Sequence, residues 1–202
     1  TTFSASMSSP ESVSSSSAKR GANTAICSAS NLFFSPPEKP TLRGRFSISS
    51  LIFSASMLEL NAACGGPKDA QVLGVDIDIR AHNREAIQAH PMAKRITMIQ
   101  GSSVAPEIVA QVRAKAQGKQ RVLISLDSNH THEHVLAELQ AYAPLTSVGS
   151  YCIVFDTVIE DMPAAMFPDR PWGPGNNPKT ALWAYLKEHP EFQIDRQIDN
   201  KL

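Results

Sequence analysis

The chain predicts an α/β fold over residues 49–202, a Rossmann-like open and mainly parallel sheet with helices on both faces, after a Ser-rich tail over residues 1–48 expected to be disordered. Three observations carry this. Short apolar runs alternate with segments of helical period, which is the pattern of strands joined by crossover helices. Successive runs end in an acid or in small polar residues: Asp76 with Asp78, Gly101 to Ser103, Asp127 and Asp156. Up to about Arg45 neither the 3.6 nor the 2.0 hydrophobic period is present, and nine of the first twenty residues are serine, so that stretch has no face to bury. A transit segment low in acidic residues and a misplaced gene start are the alternatives for the tail.

Each element has its own signal. Leu51, Ile52, Ala55, Leu58 and Ala62 recur at helical spacing, and Gly65-Gly66-Pro67 supplies the stop. Val72 to Ile77 reads as a buried parallel strand. Arg84 to His90 predicts a short helix stopped by Pro91, and Ile96 to Ile99 the next strand. Ser103 is expected to cap a helix from about Ala105 to Ala116, with Pro106 in its first turn and Gly118 after its end. Arg121 to Leu126 is a strand flowing into Asp127, and Thr131 to Tyr142 a helix with Val135, Leu136 and Leu139 inward. Ser150 to Phe155 forms a further strand, a helix from about Pro178 to Glu188 is capped by Asn176 or Asn177, and Phe192 to Asp195 begins a last strand.

Composition narrows the function. Nineteen basic and nineteen acidic side chains balance, so there is no electrostatic footprint for nucleic acid or an anionic membrane. A small neutral or weakly charged substrate fits better. Cys27, Cys64 and Cys152 are odd in number and widely spaced, which argues against a disulfide framework and for a reducing, cytoplasmic setting. No run approaches eighteen apolar residues, so no membrane span is expected.

Ligands of open parallel sheets sit beyond the carboxyl ends of the strands, where helix N-termini point their amides. Asp76, at the end of an early strand, suits the two hydroxyls of a ribose; an ordinary turn carboxylate is the other reading. Asp127 and Asp156 on neighbouring strands offer two oxygen ligands for Mg²⁺. His130, three residues after Asp127, can stand at the mouth of the following helix as general base toward a substrate hydroxyl. His130, His132 and His134 resemble a zinc spacing, but His132 would point away and no third soft ligand lies nearby, so His132 and His134 are read as surface residues. Trp183 is read as core, and Cys152 as packing in a buried strand.

At these residues the chain resembles the cephalosporin hydroxylase family, which contains S-adenosylmethionine-dependent methyltransferases, including rhamnosyl O-methyltransferases of glycolipid synthesis. The similar stretches are Leu51 to Leu60, Val72-Leu-Gly-Val-Asp-Ile-Asp78, Ile96-Thr-Met-Ile-Gln-Gly-Ser102, Leu126-Asp-Ser-Asn-His-Thr-His132, Gly149 to Thr157, and Trp172-Gly-Pro-Gly175 before the helix with Ala181 and Tyr185. The resemblance implies S-adenosylmethionine as cofactor, with Asp76 on its ribose, Gly101, Ser102 and Ser103 lining the adenine side, and Asp127 at the cofactor and in a Mg²⁺ site. Asp127 and His130 would be the catalytic residues, and methyl transfer to a sugar or other small hydroxylated acceptor the reaction.

Three departures qualify it. The resemblance expects a Glu-Asp pair after the strand that here ends in Phe155-Asp156, so one carboxylate is missing and a metal would need Thr157, another side chain or more water. Glu160-Asp161 lies too far round the loop. Upstream, Ser49 and Ser50 stand where closely spaced glycines are expected, and downstream Asp195 to Leu202 stops near the start of a closing hairpin. The family domain is therefore expected to be incomplete at both ends, with residues 1 to about 48 from an altered reading frame or misplaced start. The alternative function is a non-catalytic interaction module, in which an exposed sheet edge favours homo-oligomers. A metal-dependent hydrolase using Asp127, Asp156 and His130 ranks last, since no Gly-x-Ser-x-Gly motif is present.

Overall fold

A computed structural model describes residues 2–5, 23–28 and 48–199. Seven strands form one sheet: β1 (Thr2–Ala5), β2 (Asn23–Ser28), β3 (Gln71–Asp76), β4 (Ile96–Gln100), β5 (Arg121–Leu126), β6 (Tyr151–Val154) and β7 (Phe192–Ile194), in the order β4-β3-β2-β5-β6-β1-β7. The five strands from β4 to β6 pair in parallel, while β1 pairs antiparallel with both β6 and β7. Helices α1 (Ile48–Ala63), α2 (Ala81–Ala89), α3 (Pro106–Ala116), α4 (His132–Tyr142) and α5 (Pro178–Glu188) connect them, with a short α6 (Arg196–Asp199) at the end.

Strand residues alternate between two cores, as the pleat requires. Val72 packs with Leu51 and Ala55 of α1, Ile79, and Ile87 of α2 on one face. Leu73 and Val75 turn to the other face, where Val122, Ile124 and Leu126 of β5 meet α3, α4 and α5. Both faces are thus covered, which is why these strands read as nearly continuous apolar runs. Helix ends follow the local chemistry: Gly65 adopts φ 88° after α1, and Gly66 N–H donates to Asn61 O at 2.8 Å. Asn177 caps α5 by accepting from Lys179 N and Thr180 N, while Thr180 Oγ1 accepts from Asn177 N in return.

The structure differs from the sequence expectation in four places. Thr2–Ala5 and Asn23–Ser28 are strands, although both lie in the stretch expected to be disordered; the other residues of 1–47 lie outside the described residues. For β2 the physical reason is tertiary. Its backbone bonds to β3 on one side, from Thr24↔Gln71 to Ser28↔Val75, and to β5 on the other, from Asn23↔Arg121 to Ser28↔Leu126. A slot between two strands satisfies every backbone group and overrides weak periodicity. Ser49 and Ser50, placed by sequence at a cofactor loop, stand in the first turn of α1. The residue before α3 is Ala105 with no side-chain cap, because the Ser103 hydroxyl is engaged elsewhere. Trp183 is 45 % exposed, with Lys179 Nζ 5.4 Å from its ring centroid, and so is not core.

Candidate functional site

After β2 the chain moves outward through β3 and β4, then returns to the other side of β2 for β5 and β6. That reversal between β2 and β5 opens a crevice beyond the carboxyl ends of the strands. Because β3, β2, β5 and β6 are parallel, Asp76 at the end of β3, and Asp127 and Asp156 just beyond β5 and β6, all stand on this one edge. Two strand spacings, about 10 Å, separate β3 from β5.

On the β3 side, Asp76 Oδ1 accepts from Asp78 N at 2.8 Å. Partial burial pushes its carboxyl up to about 6, against the lowering by that backbone hydrogen bond. Gly101 N donates to Asp76 O at 2.8 Å, tying the end of β4 to the end of β3. Only glycine suits position 101: its φ is 154°, and a Cβ there would lie 2.5 Å from Ile108 Cδ1. Ser103 is buried; its Oγ lies 3.1 Å from His134 Nε2, and Tyr142 O–H donates to its carbonyl. Ser102 is half-buried beside it.

On the β5 and β6 side, donor atoms of Asp127, His130 and Asp156 all lie within 4.8 Å of one another. His130 Nδ1 is 3.4 Å from Asp156 Oδ2. Local sequence builds this. Asn129 Oδ1 accepts from Thr131 N at 2.9 Å, an Asx turn between Asp127 and α4. Asn176 Oδ1 accepts from His132 N at 2.8 Å and ties the start of α4 to the loop before α5. Asp156 takes φ 55°, a left-handed conformation that an aspartate tolerates better than most side chains. The Trp172 ring stands edge-on to His130 with centroids 5.0 Å apart, and Arg170 lies 5.2 Å from the Trp172 centroid. Burial is the main cause holding the His130 pKa below its ordinary value; the Asp156 carboxylate opposes it and Arg170 reinforces it. The imidazole is therefore neutral near pH 7 and offers a nitrogen lone pair.

His132 Nδ1 lies 2.8 Å from Thr180 Oγ1, and His134 is held between Ser103 and Glu138, so neither is a free surface residue and neither joins the donor atoms of His130. Cys152 is fully buried in β6, as expected for a packing residue. Glu160 accepts from Gly175 N at 2.7 Å and from Asn177 Nδ2, which fixes the turn before α5; those two bonds hold its carboxyl below the usual range. Glu138 was missed. It is fully buried, accepts from Ser128 Oγ at 2.7 Å and lies 3.5 Å from His134 Nε2, linking the loops after β4 and β5 through α4. The signal was its position on the apolar stripe of α4, three residues after Val135 and four before Tyr142.

Among the described residues no helix is long and apolar enough to cross a membrane. No solved structure matches the chain. Rhamnosyl O-methyltransferases of Mycobacterium tuberculosis and Mycobacterium bovis are 35 % identical over 116 residues, covering 55 % of this chain and 45 % of theirs. The Mycobacterium leprae rhamnosyl O-methyltransferase is 33 % identical over 159 residues, covering 78 % of this chain and 62 % of its own length. The chain thus spans roughly half the length of the curated relatives it matches. The family model described as Rhamnosyl O-methyltransferase/CmcI matches residues 44–202, most of the chain, and the protein belongs to that family.

Proposed function

We propose that this chain forms the cofactor and acceptor edge of an S-adenosylmethionine-dependent O-methyltransferase acting on a sugar hydroxyl, with the rhamnosyl unit of a glycolipid as the acceptor type. The observation that carries the reading is the convergence of Asp127, His130 and Asp156 on the same sheet edge as Asp76 and Gly101. Asp76 accepts from the ribose hydroxyls, as a carboxylate at a strand end is suited to do. Gly101, Ser102 and Ser103 line the adenine side, with Gly101 holding the turn after β4 against Ile108. The acceptor hydroxyl docks against Asp127 and His130. In the reaction an O–CH₃ bond forms, the S–CH₃ bond breaks to leave a thioether, and the hydroxyl proton leaves to acceptor atoms of the cluster.

Asp127 and Asp156 offer two carboxylates to a divalent cation such as Mg²⁺, in a cluster whose ligand atoms, that of His130 included, lie within 4.8 Å of one another. A cation held there would lower the pKa of the hydroxyl and orient it. Trp172 and Arg170 are layered beside His130 and cover that side of the cluster.

A non-catalytic module is the second reading, favoured by one observation: residues 29–47, after β2, contain a single glycine, Gly44, where a cofactor cradle needs several close together. Isothermal titration with S-adenosylmethionine separates the two. Binding tighter than about millimolar, lost in Asp76→Ala, is the expected result; no heat on titration of the folded chain would overturn the methyl-transfer reading.

A further inference from the structure

The resemblance expects two adjacent carboxylates after β6, and this chain has Phe155 where the first would stand, with an apolar side chain 44 % exposed. The third donor atom in the cluster comes instead from the other side of the site, from His130. We infer that His130 replaces the missing carboxylate as a ligand, so that Asp127, His130 and Asp156 form a one-nitrogen, two-carboxylate cation site that prefers Zn²⁺ or Co²⁺ to Mg²⁺. This rests on the reading of this edge as the hydroxyl site and names the ion it takes.

Geometry and chemistry agree. Two donors on one cation, each at about 2.0–2.2 Å, stand about 3.0–3.5 Å apart in octahedral or tetrahedral arrangement. His130 Nδ1 and Asp156 Oδ2 are 3.4 Å apart, and no donor atom of the trio is farther than 4.8 Å from another, so modest side-chain closure completes the set. The site is built before any ion arrives. His130 and Asp127 are buried, Trp172 stands edge-on to the imidazole, and the Asn129 turn fixes the chain between the two ligands. Mg²⁺ takes oxygen ligands and keeps its water, whereas imidazole beside carboxylates suits Zn²⁺ and its neighbours in the first transition row. Replacing a carboxylate by an imidazole also removes one negative charge from the ligand set, which weakens the hold on Mg²⁺ most.

Co²⁺ is the direct probe, because its visible absorption shifts with the kind, number and arrangement of its ligands. Purified chain without cofactor is titrated with Co²⁺, and the bound ion is then displaced with Zn²⁺ or Mg²⁺. The expected result is one equivalent of Co²⁺, displaced by Zn²⁺ at concentrations at least about tenfold below those at which Mg²⁺ displaces it. Asp127→Asn abolishes the band, whereas His82→Gln, at an exposed histidine on α2, leaves it intact. His130→Ala weakens Zn²⁺ by at least about tenfold and shifts the Co²⁺ spectrum, with a smaller effect on Mg²⁺. His130→Asp restores preference for Mg²⁺. Displacement by Mg²⁺ as readily as by Zn²⁺, or an unchanged spectrum in folded His130→Ala, overturns the inference. Should His130→Ala fail to fold by circular dichroism, the larger polar variant His130→Gln takes its place, and an unchanged Co²⁺ spectrum in it overturns the inference. Failure of S-adenosylmethionine to bind while the Zn²⁺ preference persists would count against methyl transfer only, and cofactor binding with a Mg²⁺ preference would count against this site only.

Discussion

Burial sets the charge state of two ionisable groups on the carboxyl edge, and it moves them in opposite senses with pH. Asp76 is raised to about 6 by desolvation, so between the ordinary carboxyl range and about pH 6 the folded chain binds the extra proton. The fold therefore loses stability as pH rises through that window. The full shift would correspond to about 3 kcal/mol, and the half-exposed position leaves about 1 kcal/mol after solvent screening. Asp76→Asn is expected to raise Tm at pH 7 by about 2–4 °C and to give no gain at pH 4, as read by calorimetry. The same ionisation predicts that S-adenosylmethionine affinity declines below about pH 6 in the wild type and is pH-independent in the weakened Asp76→Asn variant. His130 has the opposite sign: its pKa is lowered, so the unfolded chain binds the proton first and stability falls as pH drops below about 6.5. His130→Gln should flatten the part of that decline due to this group, measured by urea titration between about pH 7 and pH 5. The candidate residues themselves were legible, since acids at strand ends announce a site. Their partners were not: Trp172 reaches His130 from a loop more than forty residues away, and no period in the sequence links them.

At the level of elements, caps and turns decide how well the edge is held. Asn177 is fully buried, closes a capping box with Thr180, and donates through Nδ2 to Gly173 O at 2.9 Å and to Glu160. Asn177→Ala is expected to cost about 1–2 kcal/mol from the lost cap alone, a fall in Tm of about 4 °C, with faster proteolysis between positions 171 and 177. Gly101→Ala forces a Cβ into Ile108 and a side chain into a left-handed backbone. It should displace Ser102 and Ser103 and weaken cofactor binding by more than its effect on Tm implies, a split that titration and calorimetry on one sample will read. The helices from α2 to α5 were legible to within about three residues at each end, because their apolar spacing, Pro starts and Gly or Pro stops are local signals. Ser103 misled as a cap for a physical reason. A serine hydroxyl takes the best available partner, and folding brought His134 within reach.

For the whole molecule, the sheet is the shared element, and β2 joins its halves. It pairs with β3, which carries residues of both cores, and with β5, which anchors the core under α3, α4 and α5. Ile26 sits mid-ladder, opposite Leu73 on one side and Ile124 on the other. Proline there removes a ladder donor in a central strand, and Ile26→Pro is expected to abolish the cooperative urea transition of both halves, whereas Ser56→Pro on α1 should leave β5 and β6 protected in hydrogen exchange.

The amino-acid sequence by itself determined the α/β class, the order of elements from α1 onward, and which acids end strands, because those follow from period, punctuation and backbone chemistry within a few neighbouring residues. Tertiary structure alone decided that Asn23–Ser28 is a central strand, that Glu138 meets Ser128 and His134 behind the edge, and that His130 meets Asp156. Each of these depends on partners distant in the chain, and a hydrogen-bond slot or a charge partner across the sheet leaves no mark on the local pattern of the residue that fills it.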